Sequence, residues 1–76
     1  MGMSNKALRF LEELKKGKKL GFRDQEIFNN QRSFNIVVRR LLQAKLILNN
    51  WDNGDKYELT VRGVEFVNRI QAYNKY

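Results

Sequence analysis

The sequence predicts an α+β fold of three helices, a single β-hairpin and a C-terminal helix. Two observations carry this prediction. Apolar residues recur at helical spacing over about 4–16, 33–44 and 61–73, and two β-prone runs near 46–59 flank Asp52-Asn53-Gly54-Asp55. The Asn-Gly pair supplies the positive φ angles that a tight hairpin turn needs.

Each element has its own signal. Ser4 caps the first helix, in which Ala7, Leu8, Leu11 and Leu14 form a stripe that Phe10 widens. Gly17 ends it in a left-handed C-cap. Leu20 and Phe22 alternate with Gly21, as in a strand of two or three residues. Asp24 starts a short helix over 24–29, and Asn29-Asn30 breaks it through the left-handed conformation that Asn tolerates. Ser33 caps the next helix, with Phe34, Val38 and Leu41 on one arc and Val37 and Leu42 on its flanks. Leu46-Ile47-Leu48 begins the hairpin, and Lys56 to Leu59 returns with Tyr57 and Leu59 on one face. Thr60 caps the last helix, whose stripe is Val64, Val67 and Ile70, with Phe66 and Tyr73 nearby.

The chain has 76 residues, enough for one domain. Fifteen Lys and Arg against eight Asp and Glu give a net charge of +7 and an isoelectric point near 10.1, which points to a polyanionic partner. Nucleic acid fits best and an anionic membrane surface second. With no Cys and no His, the sequence has no disulfide, zinc finger or imidazole acid–base chemistry. Its carboxylates are scattered and no glycine-rich loop cradles a phosphate, so no enzyme and no cofactor are expected. There is no apolar run of membrane-spanning length and no apolar signal core, and the expected compartment is the cytoplasm. Met1-Gly2 opens a myristoylation pattern, but Lys6 stands where Ser or Thr is required.

The charge is segregated. From Ile27 to Trp51 there is no acidic residue, while Arg32, Arg39, Arg40 and Lys45 all fall in that stretch. On a helical wheel, Arg32, Ile36, Arg39, Arg40 and Gln43 gather opposite the apolar arc, with Asn35 at its edge. These side chains suit duplex DNA. Arg pairs with guanine O6 and N7, Asn or Gln with adenine N6 and N7, and an apolar group such as Ile36 with a thymine methyl. The same residues also have simpler structural roles open to them. Arg39 and Arg40 could be a solvated face, Arg32 could pair with Asp24 or Glu26, and Ile36 could belong to the core. Gln43 could reach only phosphate or solvent. Lys15, Lys16, Lys18 and Lys19 read as a solvated run or a flanking phosphate contact.

The run Ser33-Phe34-Asn35-Ile36-Val37-Val38-Arg39-Arg40-Leu41-Leu42-Gln43-Ala44-Lys45-Leu46-Ile47 resembles the recognition helix and following strand of winged helix-turn-helix regulators. Tyr57-Glu58-Leu59-Thr60-Val61-Arg62-Gly63 is similar to the Tyr-x-Leu-Thr-x-x-Gly that closes the wing in MarR-like and PadR-like members and in small archaeal viral or plasmid proteins. The resemblance spans roughly Ser4 to Tyr73. It implies a single winged helix-turn-helix domain over 1–76 and a sequence-specific double-stranded DNA-binding regulator, most simply an autoregulatory repressor. The recognition helix would contribute Arg32, Ser33, Asn35, Ile36, Arg39, Arg40 and Gln43. The turn and wing would contribute Asn30, Gln31, Asn50, Trp51, Asn53 and Lys56, with Trp51 either on the backbone or packed on the hairpin base. Asp52 and Asp55 argue against deep insertion of the tip. The DNA partner would be a near-palindromic promoter site holding two protomers, with at most a weak homodimer in the free state. Lys45 departs from the pattern, standing where the family usually has Gly. The alternatives are a winged-helix protein-interaction module and a non-specific nucleic-acid binder.

Overall fold

A computed structural model describes residues 4–50 and 56–73. Three α-helices and one antiparallel hairpin form a small α+β domain: α1 (Asn5–Lys15), a 3-10 turn (Phe22–Asp24), α2 (Gln31–Gln43), β1 (Ile47–Asn50), β2 (Lys56–Leu59) and α3 (Val61–Tyr73). The expected hairpin turn at 52–55 lies outside the described residues.

The first helix follows its sequence signals. Ser4 Oγ accepts from Ala7 N at 3.3 Å, and Gly17 adopts φ +85° just past the end. Ala7, Phe10, Leu11 and Leu14 are buried. The strand expected at Leu20–Phe22 is a single bridge, in which Leu20 and Tyr57 exchange both backbone hydrogen bonds, at 3.0 and 2.9 Å. Phe22 already belongs to the 3-10 turn.

The helix expected over 24–29 does not form. The side chain of Gln25 replaces it: Nε2 donates to the carbonyls of Phe22 (2.8 Å) and Phe28 (3.0 Å), and Oε1 accepts from Phe28 N at 2.7 Å. One amide thus meets backbone needs that a helical turn would otherwise meet. Asn29-Asn30 is not a left-handed break either. Asn30 is extended (φ -117°, ψ 125°), and it, rather than Ser33, caps α2, accepting from Arg32 N (2.7 Å) and Ser33 N (3.3 Å). The helix therefore starts two residues before the expected cap, and Arg32 lies in its first turn.

The core is centred on aromatic rings. Phe34, 2% exposed, contacts the rings of Phe10, Phe22, Phe28 and Tyr57 edge-on, with centroids 5.4 to 6.1 Å apart. Such pairs gain beyond their buried area because ring edge and face carry opposite partial charge. Val38, Leu41, Leu46, Ile47 and Val67 complete the cluster.

Lys45 has φ +61°, the only positive φ outside glycine among the described residues. It is the C′ residue of a Schellman motif: Lys45 N donates to Leu42 O and Leu46 N to Leu41 O, both at 3.0 Å. The chain makes here the turn for which the resembled family uses Gly, and Lys45 bears the strain.

The hairpin pairs Ile47 with Leu59, Leu48 with Glu58, Asn49 with Tyr57 and Asn50 with Lys56. Tyr57 and Leu59 pack on the core. Thr60 caps α3 as expected, with Gly63 N donating to its Oγ1 at 2.9 Å. The α3 stripe is rotated from the expected one. Gly63 and Val67 are buried and Ile70 is half-buried, while Val64 is exposed. Gly63, on that buried face, lets the helix approach closer than Val64 could.

Candidate nucleic-acid interface

The buried face of α2 fixes its opposite face. Phe34, Val38 and Leu41 point into the core, so Arg32, Asn35, Ile36, Arg39, Arg40 and Gln43 face out, and all are exposed. Ile36 is 50% exposed, which removes the core reading for it. Ser33 is exposed in the first turn. Gln31, also exposed, reaches one turn on to donate to Asn35 Oδ1 at 3.4 Å. Eight of the expected residues therefore lie on one helix, with Asn30 capping its start.

Ion pairing separates arginine from lysine. The four ion pairs among the described residues all use lysines: Lys16 and Lys18 with Glu13, Lys19 with Glu58, and Lys56 with Asp24. Among the described residues, none of the seven arginine side chains has a hydrogen-bond or ion-pair partner. Arg32 pairs with neither Asp24 nor Glu26. Arg39 and Arg40 present their guanidinium forks to solvent, the geometry that matches base edges and phosphates bidentately.

The basic run after α1 divides in two. Glu13 gathers Lys16 (2.8 Å) and Lys18 (3.0 Å), and these hydrogen bonds hold its carboxyl at about 2. The same bond raises the Lys16 ammonium above its ordinary value. Lys15 donates to Gln71 on α3 at 2.8 Å. These lysines are tied to the fold's own polar groups.

A second region lies beside α2. A groove of about 590 Å³ runs between the 3-10 turn, the first turn of α2 and β2, lined in part by Arg23, Asp24, Gln31, Asn35, Lys56 and Tyr57. Lys56 Nζ sits 3.6 Å from Asp24 Oδ1, while Asp24 Oδ2 accepts from Gly21 N at 2.8 Å. The groove brings Lys56 next to Gln31 and Asn35. It also contains Arg23, which sequence reasoning did not single out because nothing in the linear pattern puts residue 23 beside residue 56. The bridge between Leu20 and Tyr57 does so. Asn50 Nδ2 donates to Glu58 Oε2 at 2.7 Å on the hairpin. Trp51 and Asn53 lie outside the described residues.

Among the described residues, no group of three or more Asp and Glu is placed to hold a metal ion, and no helix is long and apolar enough to cross a membrane. The domain is thus a small α+β unit with an exposed arginine–amide helix face and a cationic groove beside it. No family model matches the chain, and neither a curated protein nor a solved structure matches it.

Proposed function

We propose that this chain is a sequence-specific double-stranded DNA-binding transcription regulator of the winged helix-turn-helix type. In this reading α2 enters the major groove and the hairpin lies along the backbone or minor groove. The observation that carries it is the outward face of α2, where Arg32, Arg39 and Arg40 stand without partners around Ile36, with Asn35 and Gln43 beside them. An isolated solvated helix gains from acids among its bases at i+3 and i+4. This face has none, and its donors match the acceptors of guanine and adenine edges.

The partner is duplex DNA, and two copies on a near-palindromic promoter site fit the usual spacing of such domains. Val61 and Tyr73, both exposed on α3, are apolar side chains that a second copy could cover. Repression of its own promoter is the simplest role for so small a regulator.

The test is a fluorescence-anisotropy titration against a site selected from a randomised duplex pool and against a scrambled duplex of equal length, at two salt concentrations. The proposal expects a preference of about 10³-fold or more that persists as salt rises. Equal binding that fades alike with salt would indicate a non-specific binder. No binding at low salt would leave the protein-interaction module.

A further inference from the structure

We propose that the groove between the 3-10 turn, the first turn of α2 and β2 is a seat for one phosphodiester of the DNA backbone. Arg23 and Lys56 would grip it, and Asp24 would hold Lys56 until the backbone displaces it. This rests on the DNA-binding reading above and assigns a site and a residue, Arg23, that the reading does not contain.

A helix in the major groove and a hairpin at the adjacent minor groove have one phosphate strand between them. The groove lies at that elbow, bounded by Gln31 and Asn35 of α2 on one side and Lys56 and Tyr57 of β2 on the other. Its lining includes the Phe22, Phe34 and Tyr57 rings, with Phe34 at 5.4 Å from Phe22 and 6.1 Å from Tyr57.

Arg23 is exposed and has no partner, so its fork is available to phosphate oxygens. Lys56 has a partner, but a loose one: 3.6 Å is beyond hydrogen-bond distance for an ammonium and a carboxylate, and both side chains are substantially exposed. Asp24 is anchored from the other side by Gly21 N, so it cannot follow Lys56 outward. An arriving phosphodiester would take Lys56 and leave Asp24 facing a like charge. Asp24 thus weakens binding to every sequence equally, which favours contacts that read bases over contacts that do not.

The experiment measures duplex affinity against salt for the full chain and four variants: Arg23→Ala, Asp24→Asn, Asp24→Asn in a Lys56→Gln background, and Glu26→Gln as a charge-matched control outside the groove. The asparagine oxygen can still accept from Gly21 N, and thermal melts confirm that each variant folds. The proposal expects Arg23→Ala to weaken selected and scrambled duplexes by the same factor, roughly three- to tenfold near 0.1 M salt, with a log–log salt slope shallower by about 0.9. It expects Asp24→Asn to tighten both by a similar factor, and that gain to fall by at least half in the Lys56→Gln background. The proposal is overturned if Arg23→Ala leaves affinity and slope unchanged. It is also overturned if Asp24→Asn gains no more than Glu26→Gln, or gains equally without Lys56. If the unmodified chain binds no duplex at low salt, the DNA-binding reading itself fails and this inference falls with it.

Discussion

Thr60 Oγ1 donates to the Lys45 carbonyl at 2.7 Å while accepting from Gly63 N at 2.9 Å, so one hydroxyl ties the end of α2 to the start of α3. Thr60 N adds a bond to Leu46 O at 3.0 Å. The α2 face is therefore oriented by this junction as well as by the core. Gly63 lies against the same carbonyl of Leu46. A Cβ there would overlap it and come within 2.8 Å of Leu59 Cδ1.

Gly63→Ala should therefore destabilise by about 3 kcal/mol, because the clash is with backbone that cannot rotate away. That is a large share of the total stability of a domain this small. Thr60→Ala should cost about 1–2 kcal/mol through the lost cap. Urea denaturation of the two variants would show the ranking. A neutral Gly63→Ala would mean that the junction is looser than described.

Lys45→Gly should have the opposite sign. The lysine sits at φ +61°, where its Cβ crowds the following carbonyl, and Gly has no Cβ. A gain of about 0.5–1 kcal/mol is expected after allowing for the greater freedom of Gly in the unfolded chain. A higher midpoint in the same denaturation assay would confirm it.

Gln25 substitutes for a helix by bonding Phe22 and Phe28. Gln25→Glu keeps the acceptor for Phe28 N but turns a donor into a carboxylate oxygen facing two carbonyls. A loss of about 1–3 kcal/mol near neutral pH is expected. Part of it should return as pH falls, since burial against carbonyls raises that carboxyl's pKa and the protonated form donates again. Melting curves across acid pH read this directly.

Glu13 gives a pH signature of its own. Its folded-state pKa is depressed to about 2 by Lys16 and Lys18, against an ordinary 4.5. Its contribution is therefore fully present above 4.5 and is lost as pH falls from 4.5 towards 2. Glu13→Gln should lower the melting temperature slightly at pH 7, with the difference from the unmodified chain shrinking through that window. Because the group is exposed, added salt should shrink it too.

Much of this architecture is legible in the residues. Ser4, Gly17 and Thr60 cap as their types predict, and the α2 wheel puts Phe34 inside and Arg39 outside. Local competition hid the rest. Gln25 is a good helix former by propensity, yet its amide found three backbone partners in a non-helical turn. Asn30 outcompeted Ser33 because its carbonyl reaches two N–H groups at once. Val64 has helical spacing to Val67, but Gly63 sits on the face that must come closest to Leu46, which no periodicity of apolar residues records. Arg23 was hidden because its neighbour in space, Lys56, is a hairpin away in sequence.

The most direct test of the account compares Arg39→Ala on α2 with Arg69→Ala on α3, each titrated against the selected and scrambled duplexes. Both remove one unpartnered, exposed arginine. If α2 reads bases, Arg39→Ala should cut the preference for the selected site by about five- to a hundredfold, equivalent to about 1–3 kcal/mol, while Arg69→Ala leaves the ratio unchanged. Equal losses on both duplexes from both variants would contradict a recognition role for α2.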